Sequence, residues 1–175
     1  MGKIIAAVRS TNELEKAVLT EVDTVFLLGT NIEEIESQIK LKNEYKKELY
    51  VHIDLADGIG KDEYGIKYLK KIGVDGIIST KIGLIKLAKK EGLKTVQRFF
   101  IVDSHSIETT LESVSSSKAD MIEIMPGLLY KVILSLSKEL TQPIVAGGLI
   151  ESPNEVKLAL ESGASAVSTG KKELW

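Results

Sequence analysis

The chain has 175 residues, a length that one domain can organise around a single core. Its net charge of −2 argues against a protein that coats nucleic acid by bulk charge. It has no cysteine, which excludes disulfides and thiolate metal sites, and no apolar run long enough for a signal peptide or a membrane span. We therefore expect a cytoplasmic protein that folds as a single domain over residues 1–175.

Short apolar runs alternate with charged amphipathic segments along the whole chain. The runs are rich in Ile, Val, Leu and Phe and seldom alternate with polar residues, which is typical of strands that helices cover. They predict eight strands, at residues 4–8, 24–28, 49–53, 76–79, 95–102, 121–125, 144–146 and 166–168.

Helical patterns fill the spaces between these strands. They cover residues 12–19, 32–45, 63–72, 82–90, 107–115, 128–139 and 154–161. Strict alternation with short connections predicts a parallel sheet, and eight strands favour a closed (β/α)8 barrel over an open doubly wound sheet. We therefore predict an α/β, TIM-barrel-like fold. In so short a chain the barrel must have trimmed helices and lack a full eighth helix.

Glycines and hydroxyl side chains follow the last two predicted strands. Gly147 and Gly148 end the seventh strand, and Ser168, Thr169 and Gly170 end the eighth. Glycine lets an anion approach bare backbone N–H groups, and barrels of this class often hold phosphate at these two strand ends. These residues predict a phosphate site, with ordinary tight strand-to-helix turns as the alternative.

Further polar side chains lie in or just after the other strands: Arg9, His52, Asp54, Lys81, Arg98 and Glu123. Polar groups deep in a strand are costly unless they are paired. They indicate either contacts to a polar, phosphorylated ligand or a buried network, such as Arg98 with Glu123 or His52 with Asp54. The glycine-containing segment 54–62 is expected to act as a lid or to become ordered around a ligand.

Two predicted helices carry lysines at helical spacing on one face. They are Lys67, Lys70 and Lys71 on the third helix and Lys86, Lys89 and Lys90 on the fourth. Consecutive helices are neighbours around a barrel, so these lysines are candidates for an RNA-binding stripe. Lysines are also common near helix carboxyl ends because they complement the helix dipole, and a solvated face is the alternative.

A family resemblance extends over essentially the whole chain. It rests on residues 5–9 (IAAVR), 25–28 (VFLL), 51–55 (VHIDL), 75–81 (DGIISTK), 95–98 (TVQR), 122–127 (IEIMPG), 143–150 (PIVAGGLI), 166–169 (AVST) and 172–175 (KELW). In this combination the segments resemble the glycerol-3-phosphate-responsive antiterminator family.

The resemblance implies a regulatory barrel without established catalysis and without a cofactor. Such a protein senses glycerol 3-phosphate and binds the leader mRNA of glycerol-uptake operons, which prevents premature termination. The resemblance also implies that the ligand phosphate lies at Gly147, Gly148, Ser168 and Thr169. No RNA contact carries over, so the lysine stripe and a possible homodimer are our own interpretations.

The glycerol end of the ligand would then face His52, Asp54, Lys81, Arg98 and Glu123. The alternative function is a barrel enzyme of the isomerase or lyase type that acts on a small phosphorylated substrate. In that case His52, Asp54 or Glu123 would supply acid–base groups, and Lys81 would be the candidate for a Schiff base.

Overall fold

The computed structural model describes residues 4–175, which form a closed barrel of eight parallel strands. The strands are β1 Ile4–Val8, β2 Thr24–Leu27, β3 Glu48–His52, β4 Gly76–Ser79, β5 Lys94–Phe100, β6 Met121–Met125, β7 Ile144–Gly147 and β8 Ala166–Thr169. They follow one another around the barrel in sequence order, and β8 pairs with β1 to close the ring. The predicted TIM-barrel-like fold is confirmed.

Seven short helices cover the outside of the barrel. They are α1 Thr11–Val18, α2 Ile35–Glu44, α3 Glu63–Ile72, α4 Ile82–Lys90, α5 Ser104–Ser117, α6 Tyr130–Glu139 and α7 Pro153–Glu161. The chain ends in a 3-10 turn, Lys172–Leu174, where an eighth helix would otherwise stand. The predicted trimming of the helices is therefore confirmed. Within residues 4–175 no helix is long and apolar enough to cross a membrane.

Local capping explains where several helices begin. Asp103 and Ser106 cap each other's backbone N–H groups, so α5 starts three residues before the predicted position. Conversely, α2 starts three residues late, because Thr30–Asn31 pairs instead with Ala56–Asp57 in a small two-stranded ladder. The spacing of apolar residues in the sequence predicts neither the capping pair nor the two-stranded ladder.

Alternate residues of each strand point into the barrel and fill its middle with an apolar layer. This inner layer consists of Ile5, Phe26, Tyr50, Ile78, Val96, Met121, Val145 and Ala166. The rings of Phe26 and Tyr50 lie at its centre, with centroids 5.6 Å apart. The layer separates the two ends of the barrel, and each end has its own cavity.

Candidate functional site: a pocket at the carboxyl ends of the strands

A pocket of about 280 Å³ opens at the carboxyl ends of β1, β5, β6, β7 and β8. It is slightly smaller than the cavities that hold drug-sized ligands, so it suits a small metabolite. Of the predicted site residues it brings together Arg9, Arg98, Glu123, Gly148, Ser168, Thr169 and Gly170. The phosphate-site residues and the polar residues of the opposite strands therefore line one pocket.

A buried ion pair forms part of the pocket lining. The Nε atom of Arg98 donates to Glu123 Oε2 at 2.6 Å, and the Ser168 hydroxyl donates to Glu123 Oε1 at 2.6 Å. The side chains of Arg98 and Glu123 are only 6% and 1% exposed. Strand register favours the pair, because Arg98 and Glu123 lie directly opposite each other on β5 and β6. The predicted buried network of Arg98 with Glu123 is thus present, and it lies within the pocket.

Gly147 is needed to make room for this network and does not line the pocket. A Cβ atom at this position would overlap Glu123 Oε1 and lie 2.7 Å from the Ser168 hydroxyl oxygen. Its carbonyl oxygen also accepts a hydrogen bond from Gly127 N at 2.6 Å. The structure therefore gives Gly147 a packing role beneath the pocket.

The guanidinium group of Arg98 is only partly used by this pair. Nε holds Glu123, while the two terminal nitrogens have no hydrogen-bond partner among residues 4–175. Because Arg98 also lines the pocket, these donors face a space that a ligand can enter. A guanidinium presents several donors in one plane, an arrangement that suits a phosphate or carboxylate group.

Backbone N–H groups form the opposite side of the pocket. Gly148 and Leu149 follow β7 in the left-handed conformation, with φ of 77° and 61°. The N–H groups of Leu149 and Gly170 donate to no other group of the described chain. The left-handed conformation destabilises Leu149 by about 1 kcal/mol, because the Cβ atom lies too close to the backbone there. Such unused backbone donors, with Arg98 facing them, make a pocket for an anion.

Two groups beside the predicted phosphate site already have hydrogen-bond partners within the chain. The Thr169 hydroxyl donates to Ile150 O at 2.7 Å and accepts from Lys171 N at 3.0 Å, so it is already occupied. The amino end of α7 is closed by a capping box between Ser152 and Glu155. The unused backbone donors are therefore better placed for an anion than either of these groups.

Asp54 anchors the loop after β3 and does not line the pocket. It accepts hydrogen bonds from the Ser79 hydroxyl at 2.7 Å and from the N–H and hydroxyl of Thr80 at 2.8 and 2.9 Å. Burial acts to raise the pKa of Asp54, but these hydrogen bonds hold it below its usual value. Farther along the loop, Lys61 Nζ donates to the carbonyls of Ala56 and Ile59. The segment expected to act as a lid is thus tied to β4 and to itself.

His52 is not part of the pocket lining, but it is the least satisfied polar residue near it. It is the last residue of β3, is 5% exposed, and neither ring nitrogen has a hydrogen-bond partner. Its Nε2 lies 3.7 Å from Asp54 Oδ2, too far for a hydrogen bond. Burial lowers the pKa of His52 to about 4, and the nearby charge of Arg98 acts in the same direction. The imidazole is therefore neutral at pH 7, with one donor and one acceptor unused.

The remaining predicted residues lie away from the pocket. Lys81 is exposed at the start of α4 and is not part of the pocket lining. In the lysine stripe, Lys67 pairs with Glu63 at 2.6 Å, Lys70 donates to Gly92 O at 3.0 Å, and Lys86 donates to the Ser116 hydroxyl at 3.0 Å. Lys89 pairs with Asp120. Lys71 and Lys90 are exposed without an ion pair among the described residues.

Sequence reasoning missed several residues of the lining, among them Ala7, Met125, Leu149 and Lys171. Ala7 lies two residues before Arg9, and Met125 two residues after Glu123. Because alternate strand residues share a face, extending this alternation would have found both. Leu149 and Lys171 lie in loops, where the sequence carries no such period.

Known proteins resemble the chain over almost its full length. The sequence model of the glycerol-3-phosphate responsive antiterminator family matches residues 4–175. The protein YgcP of Escherichia coli strain K12 is 35% identical over 98% of this chain and 91% of its own.

Two solved structures share both sequence and fold with the chain. The glycerol uptake operon antiterminator regulatory protein from Listeria monocytogenes is 32% identical, with a TM-score of 0.94 over 99% of this chain and 94% of that one. A glycerol uptake operon antiterminator-related protein from Thermotoga maritima is 33% identical, with a TM-score of 0.88 over 98% and 96%. The deoxyribose phosphate aldolase from Aeropyrum pernix, at 16% identity, shares the fold alone, with a TM-score of 0.74 over 98% and 86%.

Proposed function

The chain belongs to the glycerol-3-phosphate responsive antiterminator family, and from this premise we propose that it senses glycerol 3-phosphate in the carboxyl-end pocket. In the ligand-bound state it binds the leader mRNA of a glycerol-uptake operon and prevents termination, an activity that belongs in the cytoplasm, where transcription takes place. The ligand acts as a switch only if it binds the RNA-competent state more tightly than the other state.

The observation that carries the proposal is the buried Arg98, whose terminal nitrogens open into the pocket. Arg98 is held by Glu123 and is 6% exposed, so the donors are already oriented before a ligand arrives. The phosphate would bind between these nitrogens and the free N–H groups of Leu149 and Gly170. Arg9, an exposed cation of the lining, adds charge at the opening.

The glycerol end would extend past Arg98 toward His52. The pKa of His52 is lowered by its burial and by the charge of Arg98, so the two side chains are electrostatic neighbours. A hydroxyl can both donate and accept, which matches the two unused nitrogens of the neutral imidazole. This arrangement would let the pocket distinguish a polyol phosphate from phosphate alone.

Enzymatic turnover is the second candidate, because barrels of this fold are often aldolases, but the pocket gives it little support. A Schiff base needs a lysine inside the barrel, and the one lysine of the described lining, Lys171, is an exposed residue with Nζ 3.7 Å from Glu173. Acid–base chemistry needs a positioned acid or base, and the one buried carboxylate of the described lining, Glu123, already binds Arg98 and Ser168. The groups present bind and orient a ligand.

Thermal unfolding with glycerol 3-phosphate, glycerol and inorganic phosphate tests the proposal. A ligand at about 100 times its Kd stabilises the folded state by about 2.7 kcal/mol, which raises Tm by roughly 5–10 °C for a domain of this size. We expect that shift with glycerol 3-phosphate at millimolar concentration, and a smaller one with each fragment. An unchanged Tm with glycerol 3-phosphate, or conversion of the ligand to a new product, contradicts the proposal.

A further inference from the structure

The barrel has a second opening, at the amino ends of its strands. This cavity has a volume of about 580 Å³, twice that of the ligand pocket, and it lies on the other side of the apolar inner layer. Its lining consists of Asp23, Thr24, Lys46, Glu48, Tyr50, Lys94, Asp120 and Met121. The amino end of such barrels usually serves stability alone, so an open polar cavity there calls for an explanation.

One wall of this amino-end cavity contains an unused buried donor. Thr24 is 1% exposed, and its hydroxyl has no hydrogen-bond partner. It lies two residues before Phe26, so both side chains point into the barrel. Tyr50 borders the same space, and its burial, helped by the charge of Glu48, raises its pKa, so the phenol keeps its proton. The Thr24 hydroxyl is thus available to a ligand, whereas the Tyr50 hydroxyl is hydrogen-bonded to Glu48.

Charges at the rim select for a neutral ligand. The carboxylates of Asp23, Glu48 and Asp120 lie at the opening together with the ammonium groups of Lys46 and Lys94, so the rim carries little net charge. Lys94 binds Glu48 at 2.6 Å and Lys89 pairs with Asp120, which leaves Asp23 without an ion pair among the described residues. Carboxylates accept hydrogen bonds from exocyclic amino groups, such as those of cytosine and adenine. A flat, neutral heterocycle that carries an amino group fits this setting.

A strongly basic surface borders the cavity. Residues 64–94 contain eight lysines but only two acidic residues, although the whole chain has a net charge of −2. These lysines lie on and around α3 and α4, which pack side by side. Lys89 and Lys94 also line a shallow depression that shares Lys94 and Asp120 with the rim. A phosphate backbone can therefore follow the lysines up to the opening.

We infer that the amino-end cavity holds one nucleobase of a bound single-stranded RNA while the lysines of α3 and α4 hold the neighbouring phosphates. This inference rests on the proposed function, and it assigns RNA and glycerol 3-phosphate to opposite ends of the barrel. Both can then be bound at once, as a ligand-dependent antiterminator requires. Tyr50 and His52, two residues apart on β3, extend toward the two sites.

The substitution Thr24→Val tests the base site. Valine has the same shape and removes only a hydroxyl without a partner, so the fold loses no hydrogen bond. Fluorescence anisotropy with labelled 12-nucleotide A, C and U tracts and saturating glycerol 3-phosphate gives the affinities. We expect the native chain to prefer A or C over U tracts, and Thr24→Val to weaken the preferred tract about two- to twelvefold.

Charge reversal tests the phosphate path. Lys71→Glu with Lys90→Glu changes two exposed lysines that have no ion pair among the described residues, and Lys131→Glu on α6, at another such lysine, is the matched control. The double variant should weaken RNA binding and reduce the salt slope by about 1.4, because each phosphate contact on a single strand contributes about 0.7. Lys131→Glu should change neither.

The outcomes separate the two proposals. If glycerol 3-phosphate raises Tm and the native chain binds RNA, but Thr24→Val and the double lysine variant bind it unchanged, the amino-end site is refuted and the proposed function stands. If the native chain binds no RNA with the ligand present, both are refuted. Loss of glycerol 3-phosphate binding in Thr24→Val would also count against a site that is separate from the ligand pocket.

Discussion

His52 offers the sharpest test of how the pocket recognises its ligand. The substitution His52→Leu replaces the buried imidazole by an apolar side chain of similar size and removes two nitrogens that have no partner. If a glycerol hydroxyl uses one of these nitrogens, the variant loses affinity only for ligands that carry hydroxyls. Propyl phosphate lacks them, so the two ligands and the two proteins form a double-mutant cycle.

The expected magnitudes follow from the burial of His52. An unsatisfied buried donor or acceptor costs about 1–3 kcal/mol, so removal of the imidazole should leave the free energy of unfolding unchanged or raise it by up to about 2 kcal/mol. A hydrogen bond to a hydroxyl contributes about 0.5–1.5 kcal/mol. The Kd for glycerol 3-phosphate should therefore rise about two- to twelvefold, while the Kd for propyl phosphate stays the same.

The chain contains its own fluorescent reporter for this measurement. Trp175 is the single tryptophan, and its Nε1 donates to Thr169 O at 2.8 Å, next to Gly170 of the pocket lining. Titration of its emission gives both Kd values, and isothermal calorimetry checks them. The variant His105→Leu, at the other and exposed histidine, is the matched control.

Two results would refute the reasoning. If His52→Leu weakens the binding of propyl phosphate as much as that of glycerol 3-phosphate, His52 supports the pocket without contacting a hydroxyl. If the variant instead lowers the free energy of unfolding by more than about 2 kcal/mol, the ring nitrogens are satisfied in the native protein, since an unpartnered imidazole cannot contribute that much.

Three further predictions concern the same site. Glu123→Ala leaves Arg98 buried without its partner, so the free energy of unfolding in urea should fall by about 3–5 kcal/mol. A loss below about 1 kcal/mol would mean that the ion pair is solvated. Gly147→Ala should raise the Kd for glycerol 3-phosphate at least about tenfold, because the added Cβ displaces Glu123. Gly83→Ala is the control and should not change this Kd, because a Cβ there meets nothing within 4 Å. Because the pKa of His52 falls from 6.5 unfolded to about 4 folded, the unfolded state binds a proton that the folded state does not, and stability should fall as pH drops from about 6.5 to 4. Urea unfolding at pH 7 and 4.5 should show this loss, and a loss of the same size in His52→Leu would assign it to other groups.

The strand pattern was predictable because burial on both faces leaves a continuous apolar run. Each predicted strand lies within two residues of an observed one, and the number of strands in so short a chain favours closure. Helix starts were less predictable. The capping pair of Asp103 and Ser106 and the ladder of Thr30–Asn31 depend on hydrogen bonds that apolar periodicity does not record.

Residue types at the strand ends determined where the pocket lies, since parallel strands bring their carboxyl ends together whatever the details. Only the tertiary structure decided what each side chain does there. It joined Arg98, Glu123 and Ser168 across three strands and left both nitrogens of His52 unpaired. It also turned Thr169 and Asp54 toward backbone and hydroxyl partners. The sequence states which polar groups are present, but closure of the barrel decides which of them meet. Glu123 and Ser168 lie 45 residues apart in the chain and come within 2.6 Å of each other only when the strands close.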